Sequence, residues 1–146
     1  MKKIISFVIM LLFLVMTLSS TAGINLEKLT IKPIDKGNIF YVGGSGPGNY
    51  SKIQDAINVS PDGYTVYVYD DSTPYYESLT ITREITLLGE DKETTIIDGL
   101  KLYKTIISIS ADWVTISGFT IQNCKPIADI QCVGIRIFNG NHITIS

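Results

Sequence analysis

The sequence predicts an all-β solenoid, a coil in which short strands from successive turns stack on one another. Apolar residues recur at a constant spacing of 28 or 29 through three consecutive segments. The positions in register are Leu79, Ile107 and Ile135; Ile81, Ile109 and Ile137; Ile85, Val114 and Ile143; and Leu87, Ile116 and Ile145. Within each segment apolar and polar residues alternate with a period of two, as in strands that bury one face. Repeats of this length are typical of stacked architectures, in which each repeat covers the apolar face of its neighbour.

Composition and the N-terminal segment indicate one folded domain that follows a secretion signal. The 146 residues are 45% hydrophobic and 18% charged, which excludes a disordered chain. Lys2 and Lys3 precede the apolar run Ile4–Leu18, and small residues follow at 20–22, as in a signal peptide. The run is shorter than the roughly 20 residues of a membrane span. We therefore expect residues 1–22 to be a cleaved signal peptide, with a retained anchor as the alternative, and a secreted, periplasmic or cell-surface location.

Charge narrows the class of partner. The formal net charge is −2, and no basic run follows the leader. Nucleic acid, whose phosphates require clustered Lys and Arg, is therefore not an expected partner. No membrane span is predicted after the leader has been cleaved.

The first elements of the mature chain lead up to the repeats. Residues 23–38 are predicted to be a linker or lead-in strand, Ile39–Val42 a short strand, and Gly43–Gly48 a loop. The glycine spacing is that of a phosphate-binding loop, but Asn49 and Tyr50 stand where Lys and Ser or Thr are required. A flexible turn is therefore the prediction.

A single amphipathic helix is predicted over Tyr50–Val59. Ser51 and Gln54 have the spacing of a capping box, and the turn residues at 61–63 end the helix. Its apolar stripe consists of Ile53, Ala56 and Ile57. Because the first coil of a solenoid has an open apolar end and unpaired edge groups, we expect this helix to cover them.

The next strand, Thr65–Tyr69, has two unlike faces. Val66 and Val68 alternate with Tyr67 and Tyr69, so the valines face the core and the tyrosines point the other way. A turn over 70–76 then leads to the first repeat.

Four segments resemble a known family. GNYSKIQDAI (Gly48–Ile57), PDGYTVYVY (Pro61–Tyr69) and YYESLTITREITLLGEDKETTIIDG (Tyr75–Gly99) resemble the N-terminal cap region of right-handed parallel β-helix proteins of the pectin-lyase-like superfamily. VTISGFTIQNC (Val114–Cys124) is similar to the coil repeat of NosD-like and CASH-type (carbohydrate-binding and sugar-hydrolase) secreted domains. The resemblance extends over Ile39–Ser146 and implies a right-handed parallel β-helix with an N-terminal capping α-helix.

The same resemblance sets limits on function. The loop Asp70–Tyr75 is longer and more acidic than the short turn of such domains. Ser146 occupies the repeat position of Ser117, so we expect 39–146 to be the N-terminal cap and first coils of a β-helix, truncated in mid-coil, with further coils missing downstream. The catalytic Asp and Arg residues of the pectinesterase branch belong to later coils and have no counterpart here. No catalytic residue, metal or cofactor is therefore predicted.

Acidic residues and the single histidine are weak candidates for chemistry. Glu90, Asp91, Glu93 and Asp98 cluster after the first repeat, where paired carboxylates could serve glycoside hydrolysis or hold Ca²⁺. Solvated charge on a turn is the simpler interpretation. His142 stands alone, and a lone imidazole is a poor site for a transition metal, so we predict a surface turn residue.

Aromatic residues are the best candidates for binding. Exposed rings stack on sugar faces, and the predicted glycan-stacking residues are Tyr67, Tyr69, Tyr75, Tyr76 and Trp113. The alternative is that Tyr67 and Tyr69 pack under residues 23–38.

Cys124 and Cys132 are the only cysteines in a chain bound for an oxidising compartment, which favours a disulfide between them.

Three functions are consistent with these patterns. The first is a secreted or cell-surface β-helix module that binds a polysaccharide or cell-envelope glycan, or serves structurally, with no chemistry in this portion. The second is the N-terminal piece of a polysaccharide-active enzyme, pectinesterase-like or lyase-like. The third is a NosD-like accessory protein of periplasmic metal-centre maturation.

Overall fold

The computed structural model describes residues 38–126 and 131–146, which form a parallel β-solenoid of about four turns. Its elements in chain order are β1 (Ile39–Val42), α1 (Ile53–Val59), β2 (Tyr64–Val68), β3 (Leu79–Ile81), β4 (Ile85–Gly89), β5 (Ile96–Asp98), β6 (Thr105–Ile109), β7 (Thr115–Ser117), β8 (Thr120–Gln122), β9 (Val133–Ile137) and β10 (Thr144–Ile145). The predicted all-β solenoid is thus confirmed. The predictions for the signal peptide and for residues 23–37 lie outside the described residues.

Successive turns contribute strands to three parallel sheets. The first sheet has the order β1-β2-β4-β7-β10, the second β3-β6-β9, and the third β5-β8. Every pairing is parallel and joins one turn to the next.

The repeat positions pair as their spacing predicts. Leu79 pairs with Ile107 and Ile107 with Ile135 in the second sheet. Leu87 pairs with Ile116 and Ile116 with Ile145 in the first sheet. The side chains of the earlier turns are fully buried, and they are therefore the main source of hydrophobic stabilisation.

Two stacked glycines let neighbouring turns approach closely at the end of the first sheet. A Cβ atom at Gly89 would overlap the carbonyl oxygen of Gly118, and a Cβ atom at Gly118 would overlap the carbonyl oxygen of Gly89. Gly118 also has a φ of +78°, in the region that favours glycine. Glycine is therefore required at both positions by the backbone of the adjacent turn.

The helix differs from its prediction at its N-terminus. It begins at Ile53, and its N-cap Lys52 makes no side-chain capping hydrogen bond, so the predicted capping box of Ser51 and Gln54 is wrong. The carboxylate of Glu77 takes this role, accepting hydrogen bonds from the backbone N–H groups of Ile53 (2.9 Å) and Gln54 (3.0 Å). A tertiary contact from the following loop therefore replaces the local cap.

Gln54 is used instead to cover the edge of β3. Its side-chain carbonyl accepts a hydrogen bond from the Thr80 N–H at 2.7 Å, and its amide donates to the Thr80 carbonyl at 3.2 Å. The side chain thus satisfies the two groups of β3 that a preceding strand would pair. On its other face the helix buries Ile53, Ala56 and Ile57, the predicted apolar stripe.

Asp98 joins two turns of the third sheet through a buried carboxylate. It accepts hydrogen bonds from the backbone N–H of Leu100 (2.7 Å) and from the side-chain amides of Gln122 (2.9 Å) and Asn123 (2.7 Å). The Leu100 hydrogen bond is the main reason that the pKa of Asp98 lies below its usual 3.8, with burial opposing the shift. Asp98 is therefore a structural residue and not one of a solvated cluster.

Because the pKa of Asp98 is lowered by folding, its stabilising effect is complete above pH 3.8 and is lost as the pH falls through the lower folded value. We expect Asp98→Asn to lower the Tm by several degrees at neutral pH, since an amide cannot accept from all three donors. The variant should also lose less Tm than the parent between about pH 4 and pH 2. Thermal unfolding by circular dichroism measures both effects, with Glu93→Gln, an exposed carboxylate, as control. Parallel pH curves for the parent and Asp98→Asn would contradict the assignment.

Within the part of the chain that the structure describes, no helix is long and apolar enough to cross a membrane.

Candidate functional site

A groove of about 400 Å³ runs along the corner where the chain passes from the second sheet to the first. We call it the corner groove. It is lined by Asp62, Thr82, Arg83, Glu84, Ser110, Ala111, Asp112, Trp113 and Asn139. These residues come from the turns before β2, β4, β7 and β10, so the groove crosses several coils.

Aspartates hold these turns in place. The Asp62 carboxylate accepts a hydrogen bond from the Glu84 N–H at 3.1 Å. The Asp112 carboxylate accepts from the Asn141 N–H at 2.8 Å and from its side-chain amide at 3.1 Å, while the Trp113 N–H donates to the Asn141 carbonyl at 2.9 Å. The backbone that carries the indole is therefore fixed by the next turn before any ligand arrives.

Trp113 is the aromatic residue in the lining of the corner groove. The residue is 57% exposed, although large aromatic residues are usually well buried. Its ring lies parallel to the imidazole of His142, with centroids 3.8 Å apart and planes within 3°. His142 covers one face of the indole and is not part of the groove lining, so we infer that the other face borders the groove.

The backbone at Trp113 is in a conformation that bulky residues rarely adopt. Trp113 and His142 have φ values of 56° and 57°, in the left-handed region. In the strand register, Trp113 lies two residues before Thr115 as Gly63 lies two before Thr65, and that glycine also has a positive φ. This conformation costs about 1–2 kcal/mol at a residue other than glycine, and Leu100, Lys101 and Asn123 adopt it in other turns.

Polar groups around the indole are mainly acidic. Asp62, Glu84 and Asp112 each place a carboxylate in the lining, against the single guanidinium of Arg83. The Arg83 guanidinium donates a hydrogen bond to the Ser60 carbonyl at 3.3 Å, so one of its nitrogens points toward the residue that follows α1. Carboxylates and amides beside an aromatic face can bind the hydroxyl groups of a sugar or another polyol.

The structure places the predicted aromatic residues in separate regions. Tyr67 and Tyr69 pack with Tyr41 on the outer side of the first sheet, with ring centroids 5.1–5.9 Å apart. We call these three residues the tyrosine face. It lies toward the ends of β1 and β2, whereas Trp113 precedes β7, four to six residues or about 13–20 Å away along the strand direction. Whether residues 23–37 cover this face lies outside the described residues.

The rings of the tyrosine face are half-buried against one another. Burial, followed by the neighbouring carboxylate of Glu90, raises the pKa of Tyr67. Packed aromatic pairs of this kind contribute about 0.5–1.5 kcal/mol each to stability. The face is therefore explained at least in part by packing.

The two other predicted tyrosines are also apart. Tyr75 is only 4% exposed and donates a hydrogen bond from its hydroxyl to the Tyr69 carbonyl at 2.7 Å. Burial raises its pKa to about 12. Its ring belongs to the core and is not available for stacking from solvent. Tyr76 is 55% exposed in the loop before β3, beside Glu77.

The cysteines and the acidic cluster complete the set of sequence candidates. Cys124 and Cys132 form a disulfide, with Cα atoms 5.6 Å apart. Glu90, Asp91 and Glu93 are exposed, at the turn after β4. Among the described residues, no group of three or more His, Cys, Asp or Glu side chains could hold a metal ion.

Sequence reasoning placed Trp113 on an exposed turn but did not find its surroundings. His142 was predicted only as a surface turn residue, although it follows Trp113 by 29 residues, the spacing that pairs Thr115 with Thr144. That spacing was the signal that the two rings could stack. Arg83 and Glu84 precede Asp112 and Trp113 by the same 29 residues, so the strand register also places them in the groove lining.

Comparisons with protein-family models, with curated proteins and with solved structures found no match to this chain. Function must therefore be inferred from the geometry of the chain itself.

Proposed function

We propose that this chain is a secreted or cell-surface β-helix module that binds a polysaccharide or cell-envelope glycan in the corner groove, with no catalytic role for this portion. The observation that carries the proposal is Trp113. It is an exposed indole with a left-handed backbone, fixed by the neighbouring turn and bordered by carboxylates and amides.

The chemistry of sugars suits this arrangement. One face of a pyranose ring carries C–H groups with a small positive charge, which pack against the negative face of an aromatic ring. The hydroxyl groups at the edge of the sugar then need hydrogen-bond partners, and the groove offers Glu84, Asp112 and Asn139. A groove that follows stacked turns also suits an extended chain better than a single small molecule.

The proposal also assigns the chain to a family of parallel β-helix proteins. The cap and coil segments resemble those of CASH-type and NosD-like secreted domains in the pectin-lyase-like superfamily, and a parallel solenoid with a capping helix supports this resemblance. We assign a right-handed coil, because connections between parallel strands of one sheet are right-handed in about 98% of cases. Cleavage after residue 22 is part of the same proposal, and mass spectrometry of the secreted protein tests it.

The indole is expected to dominate binding, and Trp113→Gly tests this. Glycine accepts a positive φ and stands at the matching position of the first turn, so the fold should retain its stability. Loss of the buried contact should weaken glycan binding by about tenfold or more. Affinity electrophoresis on a panel of neutral polysaccharides, chitosan and polygalacturonate measures the effect, with Tyr103→Ala, an exposed aromatic outside the corner, as control.

A third variant separates the two aromatic surfaces. Tyr67→Ala removes a ring of the tyrosine face and should leave the affinity of the groove unchanged. If Tyr67→Ala abolishes binding and Trp113→Gly does not, the glycan site lies on the tyrosine face. If the parent protein binds no member of the panel, the proposed function is wrong.

A further inference from the structure

We propose that the corner groove selects glycans without carboxylate or sulfate groups, that is, neutral or amino sugars, and discriminates against polyuronates. This inference rests on the proposed function, because it names the class of ligand for the same groove. It runs against the resemblance to the pectin-lyase-like superfamily, whose name points to an anionic polymer.

The charges that line the groove carry the inference. Asp62, Glu84 and Asp112 contribute three negative charges and Arg83 one positive charge, a net −2 around the indole. The hydrogen bonds that Asp62 and Asp112 accept from backbone N–H groups keep these carboxylates in place. A uronate carboxylate that entered beside Trp113 would therefore meet fixed charges of its own sign.

Arg83 is the residue that could reverse this result. A guanidinium can bind a carboxylate through two parallel hydrogen bonds, and such pairs are strong. Here the Arg83 guanidinium already donates to the Ser60 carbonyl, and Glu84 is its neighbour in sequence and in the lining. One of its nitrogens is thus already used within the protein, and the lining carboxylates outnumber its charge three to one.

Coulomb's law sets the size of the expected discrimination. At about 7–8 Å in water, two like charges opposing one ligand carboxylate weaken binding by about fivefold, and one such charge by about twofold. Exposed charges are screened by salt, so the difference should shrink as ionic strength rises from about 10 mM to 1 M. A free amine on the sugar should have the opposite salt dependence.

The experiment compares polymers that share a backbone and differ mainly in charge. Homogalacturonan in its methyl-esterified and de-esterified forms is one pair, and hydroxyethyl and carboxymethyl cellulose is another; chitosan supplies the amino sugar. Dissociation constants are measured for the parent protein at low and high salt. We expect the uncharged member of a pair to bind about fivefold more tightly at low salt.

Two substitutions identify the source of the discrimination. Glu84→Gln removes one lining charge and should reduce the ratio between uncharged and carboxylated polymer by about twofold. Glu93→Gln removes an exposed charge outside the groove and should leave the ratio unchanged. Equal changes in both variants would show that overall charge, and not the groove, sets the preference, and would overturn the inference.

The outcomes separate the two proposals. Tighter binding of polygalacturonate or carboxymethyl cellulose than of their uncharged partners would overturn the ligand class and leave glycan binding intact. Equal binding at low salt would overturn it as well. Failure to bind any of these polymers, or any of the neutral panel, would overturn the proposed function and this inference with it.

Discussion

Replacing Ile109 with Asp is expected to prevent the solenoid from folding. Ile109 is fully buried and lies in register between Ile81 and Ile137 in the second sheet. The substitution removes an apolar side chain from the core and buries a carboxylate without a partner. The combined cost is at least about 4 kcal/mol, a large part of the 5–15 kcal/mol that stabilises a typical domain. Far-ultraviolet circular dichroism and soluble yield measure the outcome.

The control is Ser108→Asp, one residue earlier on the same strand. Side chains alternate along a strand, so Ser108 points away from the core, and it pairs in register with Arg136. A carboxylate there stays near water and close to a positive charge. We expect a change in unfolding free energy of less than about 0.5 kcal/mol. If both variants unfold to the same extent, the assignment of inner and outer faces is wrong.

Gly89→Ala is expected to cost about 3 kcal/mol, although it adds a single methyl group. The new Cβ atom would overlap the Gly118 carbonyl oxygen, which belongs to the backbone of the next turn and has little freedom to move. Relief requires the two turns to separate, and overpacking of this kind costs about 1–3 kcal/mol or more. Urea unfolding at equilibrium gives the value.

Gly134→Ala and Gly63→Ala provide matched controls. A Cβ atom at Gly134 meets Ile121 at an ordinary 3.7 Å, so alanine should leave stability unchanged or raise it by about 0.5 kcal/mol. Gly63 has open space around it but a φ of +81°, so alanine there should cost only about 1 kcal/mol. A smaller loss for Gly89→Ala than for Gly63→Ala would show that the turns are not packed as closely as described.

The coil could be predicted from sequence because its stabilising contacts repeat. Each turn buries the same positions against the next, so the constant spacing of Leu79, Ile107 and Ile135 predicts that they pair. The echo of Gly89 in Gly118 belongs to the same pattern. Contacts between equivalent residues of successive turns are long-range in sequence. Their sequence separation is constant, however, and can therefore be recognised in the sequence.

Contacts that occur once could not be predicted in this way. The helix is capped by Glu77, 24 residues after Ile53, and no repeat spacing connects them. The sequence predicts Tyr75 among the exposed aromatic residues, but the loop that carries it turns its ring into the core. The local sequence indicates only that a helix begins or that a residue lies in a loop. Which residues contact each other there depends on the path of the chain in three dimensions.

The corner groove is an intermediate case. Trp113 was predicted to be exposed because it lies on the turn before a repeat strand. The stack on His142 and the carboxylates beside it depend on how the turns superimpose, which the register of the strands determines. Extending the repeat from the strands to the turns would therefore have found most of the groove.

The most direct test of glycan binding in the corner groove uses the chain's single tryptophan, since Trp113 is the only source of tryptophan fluorescence. A neutral oligosaccharide from the polymer that binds is titrated into the protein, while calorimetry measures the same binding independently. We expect the indole emission to shift to shorter wavelength and quenching by acrylamide to decrease, both saturating with the calorimetric dissociation constant. Saturable binding by calorimetry with unchanged emission and quenching would place the glycan elsewhere and contradict the account.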